Sequence, residues 1–108
     1  MEIAVDHSGV EAIVRLKGRI DVDSSPDLRD CLLAILSSNP LPHAVTVDLA
    51  AVTSIEASGI ATLIEALKTA RHREIRFDLQ GHGSVLRLFE STGLYALFGA
   101  SSGGKGAS

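Results

Sequence analysis

The sequence predicts an α/β domain of two layers, a mixed β-sheet with its helices packed on one face. Three observations carry this. Apolar residues recur at every second position in four segments and at every third or fourth in three others, in the order ββαβαβα. The first two strand segments are joined by so short a turn that they should pair as an antiparallel hairpin. The later strands alternate, with one side apolar and the other carrying Thr46, Asp48, Arg76 and Asp78. Strands buried on both faces read instead as continuous apolar runs.

Taken in order, Ile3 and Val5 alternate with Glu2 and Ala4 as a first strand, and His7-Ser8-Gly9 reads as a turn. Ala12 to Leu16 reads as a second strand that Gly18 should end. Ser24-Ser25-Pro26-Asp27 is a helix start, with a capping hydroxyl, a ring that presets φ and an acid near the positive dipole end. Leu28, Cys31, Leu32, Ile35 and Leu36 then form one apolar stripe, and Asn39-Pro40 should stop the helix. Val45, Val47 and Leu49 mark a third strand. A second helix begins near Ser58 or Gly59, carries Ile60, Leu63, Ile64 and Leu67 on its stripe, and ends near Arg71-His72. Ile75, Phe77 and Leu79 give a fourth strand. Gly81-His82-Gly83 turns into a third helix with Val85, Leu88 and Phe89 inward and Gly93 just past its end. Leu94 to Phe98 is a candidate last strand. The domain is expected to occupy residues 1–100, with 101–108 a disordered Gly/Ser-rich tail.

Composition narrows the function. The 108 residues carry a net charge of −3 with scattered Lys and Arg, which is no footprint for nucleic acid. No Trp and only three Phe leave an aliphatic core. No apolar run approaches the roughly 20 residues of a membrane span, and the N-terminus lacks the basic and apolar pattern of a secretory signal. With a single cysteine, Cys31, no internal disulfide can form. The expectation is a cytoplasmic protein without membrane insertion.

Most candidate sites dissolve on inspection. Asp21-Val22-Asp23-Ser24-Ser25 begins like a calcium loop, but Pro26 stands at the required glycine and Leu32 at the bidentate glutamate. His7, His43, His72 and His82 lie far apart with no ligand spacing, so they read as surface residues and no metal is expected. Cys31 sits on an apolar stripe as a small core residue. Gly81-His82-Gly83-Ser84 lacks a third glycine and a phosphate-binding lysine. No nucleophile, base and orienting residue assemble, and no catalysis or cofactor is expected. What remains is Asp48 to Ile60, which joins a central strand to a helix N-terminus, where free N–H groups and the dipole favour an acceptor. By itself this segment reads first as purely structural, with Ser58 capping the helix and Gly59 permitting close packing.

Three ordered motifs resemble those of STAS domains (sulfate transporter and anti-sigma factor antagonist). Gly18-Arg19-Ile20-Asp21 is similar to the family's G-E-L-D element. Val47-Asp48-Leu49-Ala50-Ala51-Val52-Thr53-Ser54-Ile55-Glu56-Ala57-Ser58-Gly59-Ile60 resembles its signature v-D-L-s-x-v-x-f-i-D-S-S-G-l. Val85 to Leu94 is similar to v-x-r-l-l-e-l-t-G-l. The match runs from residue 1 to about 100 in register.

The resemblance implies a binding module. In anti-sigma factor antagonists, the unphosphorylated protein binds an anti-sigma factor that is also a serine kinase of the histidine-kinase-like ATPase class. The kinase then phosphorylates the residue after the signature Asp, and the added charge breaks the complex. Here the signature Asp is Glu56 and the phosphoacceptor position is Ala57, which has no hydroxyl. Ser58 aligns with the second serine of the family's pair and is the candidate acceptor. The chain stops soon after Phe98, so the last helix of many bacterial antagonists is expected to be missing. An alternative implied by the family is an accessory subunit on the ATPase of a phospholipid-transporting ABC system. Either way, the partner surface is expected to comprise Asp21, Asp23, Ser24, Glu56, Ala57, Ser58 and Gly59, with the exposed flank of the second helix.

Overall fold

The computed structural model describes residues 1–81. Strands β1 (Glu2–Ser8) and β2 (Glu11–Ile20) are followed by helix α1 (Ser25–Leu36) and strand β3 (Ala44–Ile55). Helix α2 (Ala57–His72) and strand β4 (Arg76–Gln80) complete the order. The sheet runs β1-β2-β3-β4, with β1 antiparallel to β2 and β2, β3 and β4 mutually parallel. Both parallel connections step in the same direction across the sheet. The fixed right hand of such crossovers therefore places α1 and α2 on the same face.

That face holds the core. Val14, Leu16 and Ile20 of β2, Val45, Val47 and Leu49 of β3, and Phe77 of β4 are fully buried against Leu28, Leu32 and Leu36 of α1 and Leu63 and Leu67 of α2. Each such side chain contributes about 1.5–3 kcal/mol by leaving water. The opposite face carries charge in rows: Arg15 bonds Asp6 and lies 4.0 Å from Asp48, and Arg76 lies 3.4 Å from Asp78. Asp6, Arg15 and Arg76 are exposed while Asp48 and Asp78 are partly buried, and pairs that retain this much contact with water add little stability.

Several boundaries differ from the expectation. Gly18 does not end β2: it takes φ +96° within the strand, which runs on to Ile20. β3 does not end at Leu49 but continues to Ile55 through two bulges. Arg15 faces Asp48 and Lys17 faces Ala51, then Gly18 faces Val52 and Arg19 faces Ser54, so β3 inserts an extra residue twice. Its inward residues after Leu49 are therefore Val52 and Ile55, spaced by three. Two-residue alternation is lost there while pairing persists.

α1 stops at Leu36, before Asn39-Pro40, where Ser37 N donates to Ala34 O at 3.3 Å and Ser38 Oγ to Ile35 O at 2.8 Å. α2 starts one or two residues earlier than expected. Glu56 holds the cap position with extended backbone, and Ser58 is the helix's second residue, not its cap. The expected third helix, the Leu94–Phe98 strand, the domain end near residue 100 and the 101–108 tail lie outside the described residues.

Candidate functional site

The carboxyl ends of β2 and β3 lie side by side, with Ile20 opposite Ile55. The connections leaving this edge are loops that end in helix N-termini, whose free N–H groups can face a ligand or partner. Here they are the 21–24 loop leading into α1 and the turn at Glu56 leading into α2. Glu56 N donates to Ile20 O at 2.8 Å, which welds the two together at their base.

Gly59 explains how close they come. A Cβ at this position would stand 2.5 Å from Ile20 Cγ2 and 2.9 Å from Ile55 Cγ1. Glycine is required because the first turn of α2 rests directly on these two isoleucines. Its importance is an approach distance, and its backbone conformation is not of the left-handed kind.

The 21–24 loop is shaped by Asp21. Its carboxylate accepts from Asp23 N at 3.1 Å, Ser24 N at 3.0 Å and Ser24 Oγ at 3.1 Å, while Asp21 N donates to Ser24 Oγ at 2.9 Å. The Ser24 N–H, followed by the Ser24 hydroxyl, holds the Asp21 carboxyl below the usual carboxylate value. Ser24 thus closes the loop, and it makes no side-chain cap to α1. Asp23 is exposed beside them. Of the expected partner-surface residues in this loop, Asp21 and Ser24 are committed to internal bonds and Asp23 projects outward.

A second link crosses between the helices. Ser25 Oγ, in a residue only 6% exposed, lies 2.7 Å from Asp21 O and 3.1 Å from Ser58 Oγ. Its single proton can serve only one of these. With that proton on the carbonyl, Ser58 donates to Ser25. Thr62 Oγ1 in turn donates to Ser58 O at 2.9 Å. Ser58 is therefore half-buried and turned toward α1, whereas its neighbours Glu56 and Ala57 are exposed. Glu56 Oε2 lies 4.0 Å from Arg19 Nη2. Ser25 was not singled out in the sequence beyond its place in the helix start. The signal was there in two serines that each open a helix beside adjacent parallel strands.

Farther along, Arg29 of α1 meets Glu65 of α2 through two bonds, Nε to Oε1 at 3.0 Å and Nη2 to Oε2 at 3.1 Å. Hydrogen bonding to each other raises the Arg29 pKa and lowers that of Glu65. Cys31 is half-buried, and burial pushes its thiol up, away from the reactive thiolate form. His7 and His43 line a groove at the opposite end of the sheet. Among the described residues, no group of three or more His, Cys, Asp or Glu side chains could hold a metal, and no helix is long and apolar enough to cross a membrane.

Comparison with known proteins bears on this geometry. A family model described as "Mlab, STAS domain" matches residues 3–99. An anti-sigma factor antagonist from Mycobacterium paratuberculosis superposes with a TM-score of 0.76 at 22% identity, covering 90% of this chain and 81% of that one. The anti-sigma factor antagonist SpoIIAA in its unphosphorylated form matches with a TM-score of 0.74 at 15% identity, over 88% and 84% of the two chains. A sulfate transporter family protein from Wolinella succinogenes gives 0.73 at 18%, over 86% and 75%. At these identities the solved structures establish the shared fold.

Proposed function

The chain belongs to the STAS domain family, and on that premise we propose that it is a non-catalytic protein-binding regulator of the anti-sigma factor antagonist type, acting in partner switching in the cytoplasm. The observation that carries this reading is the Glu56–Ala57 turn, exposed at the carboxyl ends of β2 and β3 and braced from beneath by Ile20 and Gly59. A rigid, accessible turn loses little entropy when a partner covers it. The likeness to two anti-sigma factor antagonists supports the same assignment.

The distinctive feature is Ala57. At the position where antagonists carry their phosphoacceptor serine, this chain offers an exposed methyl group. The adjacent hydroxyl of Ser58 is engaged with Ser25 and half-buried, an arrangement that withholds it from a kinase. The protein therefore stays in its unmodified, binding-competent state. Incubation with a serine kinase of the histidine-kinase-like ATPase class and ATP, read by mass spectrometry, tests this. No phosphate at Ser58 is expected, and its incorporation there would overturn the permanently competent state.

The likeness to a sulfate transporter family protein is consistent with a second reading, an accessory role in transport. The same surface would then seat on the ATPase of an ABC transport system for phospholipids. Measuring retention of each class of ATPase on the immobilised chain separates the two.

A further inference from the structure

Strand β1 forms one edge of the sheet, and its outer side pairs with no other strand among the described residues. The edge is regular: Glu2 to Ser8 pair one-to-one with β2, and the strand holds no bulge, proline or lysine. Those are devices by which proteins blunt an edge, and an edge without them is a template for a further strand.

Its side chains divide by face. Ile3 and Val5 point toward the core, where they are only partly buried at its margin. Met1, which lies against Gly18 on the same side, is 37% exposed. An apolar row at positions 1, 3 and 5 is thus left half-covered. The outer face carries Glu2, Ala4 and Asp6; Asp6 is bonded to Arg15 and Glu2 faces Lys17, so this row is neutralised from within the sheet.

We propose that β1 pairs antiparallel with β1 of a second copy, about a two-fold axis at Ile3, joining the two four-stranded sheets into one. The side chains select this register. A shift by one residue would put the second copy's apolar row and helices on the opposite face. An axis at Ala4 sets Glu2 of each copy against Asp6 of the other, a like-charge pairing. An axis at Val5 leaves Met1 uncovered and sets Ile3 against His7. With the axis at Ile3, Ile3 meets Ile3, Met1 meets Val5 and Glu2 meets Ala4, so the apolar row is covered along its length and no acids meet. The axis reverses the strands, so the Glu56–Ala57 turns of the two copies point in opposite directions and both stay open.

One added strand buries less than the about 1,200 Å² of a stable interface, so the dimer is weak and forms across roughly 10 μM to 1 mM. Sedimentation equilibrium of the full chain should show the mass rising from 11.3 kDa toward twice that value. Hydrogen exchange of the β1 amides should slow over the same range. Ala4 is exposed on the outer face, so it can be replaced without repacking, and circular dichroism verifies folding. Ala4→Lys sets a lysine opposite Glu2 of the other copy and should tighten association about fivefold; Ala4→Glu sets an acid there and should weaken it about fivefold. Both should converge on wild type near about 0.5 M salt, where screening is strong. A chain that stays monomeric throughout overturns the proposal, as does association that neither substitution changes. Weakening by both substitutions would move the axis to Ala4 and overturn the pairing at Ile3. None of these results bears on docking at the Glu56–Ala57 turn, which partner titration reads separately.

Discussion

The hydroxyl oxygens of Ser25 and Ser58 lie 3.1 Å apart, joining the first turn of α1 to the first turn of α2. Through Ser25 the link continues to the Asp21 carbonyl, so both connections at the carboxyl edge of the sheet are held by one chain of bonds. Removing one hydroxyl leaves its partner part-buried and short of a bond. Ser58→Ala should therefore destabilise the fold by about 0.5–1.5 kcal/mol. Chemical denaturation measures this, and a cycle with Ser25→Ala should show coupling between the two sites. Strict additivity would mean the bond contributes nothing.

Restoring the missing hydroxyl gives the converse experiment. Ala57 is the exposed first residue of α2, so Ala57→Ser presents its Oγ to solvent without repacking. With the serine kinase and ATP, this variant is expected to gain one phosphate at position 57 and lose partner binding, while wild type does neither. Equal labelling of both proteins would place the modification elsewhere.

Gly59→Ala tests the seating of α2. Its Cβ would overlap Ile20 Cγ2 and Ile55 Cγ1. Overpacking of this kind costs about 1–3 kcal/mol, visible as a melting temperature lower by several degrees or more. In the double variant with Ile20→Ala, the space vacated should absorb part of the loss. A Gly59→Ala protein as stable as wild type would show that the helix can lift away freely.

Acid should loosen the 21–24 loop. The Asp21 carboxyl titrates below its ordinary value of 3.8 because Ser24 hydrogen-bonds its ionised form. Above the unfolded value the stabilisation is fully present, and it is lost as pH falls through the lowered folded value. Thermal melts between pH 7 and pH 2 should show this acid-side loss in wild type and a shallower one in Asp21→Ala. Parallel profiles would assign the acid sensitivity to other carboxylates.

Much of this architecture was legible in the residues. Ala12 to Leu16, Val45 to Leu49 and Phe77 alternate as core strands do; Leu28, Leu32, Ile35 and Leu36 of α1 and Leu63 and Leu67 of α2 are buried as expected, whereas Cys31, Ile60 and Ile64 are partly buried and the inward face of α2 is turned toward Gly59, Thr62, Ala66 and Ala70. What escaped was the upper half of β3. Its two bulges change the inward spacing from two to three, so Val52 and Ile55 no longer read as strand positions although they pair with β2. The glycine at 18 misled for a related reason: a left-handed residue usually ends a strand, but here it sits beside the second bulge. At the site, Gly59 was legible as a packing residue. The role of Ser58 was not, because a cap and an interhelix bond call for the same side chain, and only the placement of Ser25 distinguishes them.

Reversing the charge of Glu56 asks most directly whether the turn above Ile20 and Gly59 is where a protein partner sits. Glu56 is exposed and only loosely paired with Arg19, so Glu56→Lys should change folding stability by no more than about 0.5 kcal/mol. Calorimetric titration of this variant against the ATPase that wild type retains should show affinity weakened at least about tenfold, as expected when a like charge is set into a contact surface. Affinity equal to that of wild type, in a variant that melts normally, would contradict docking at this turn.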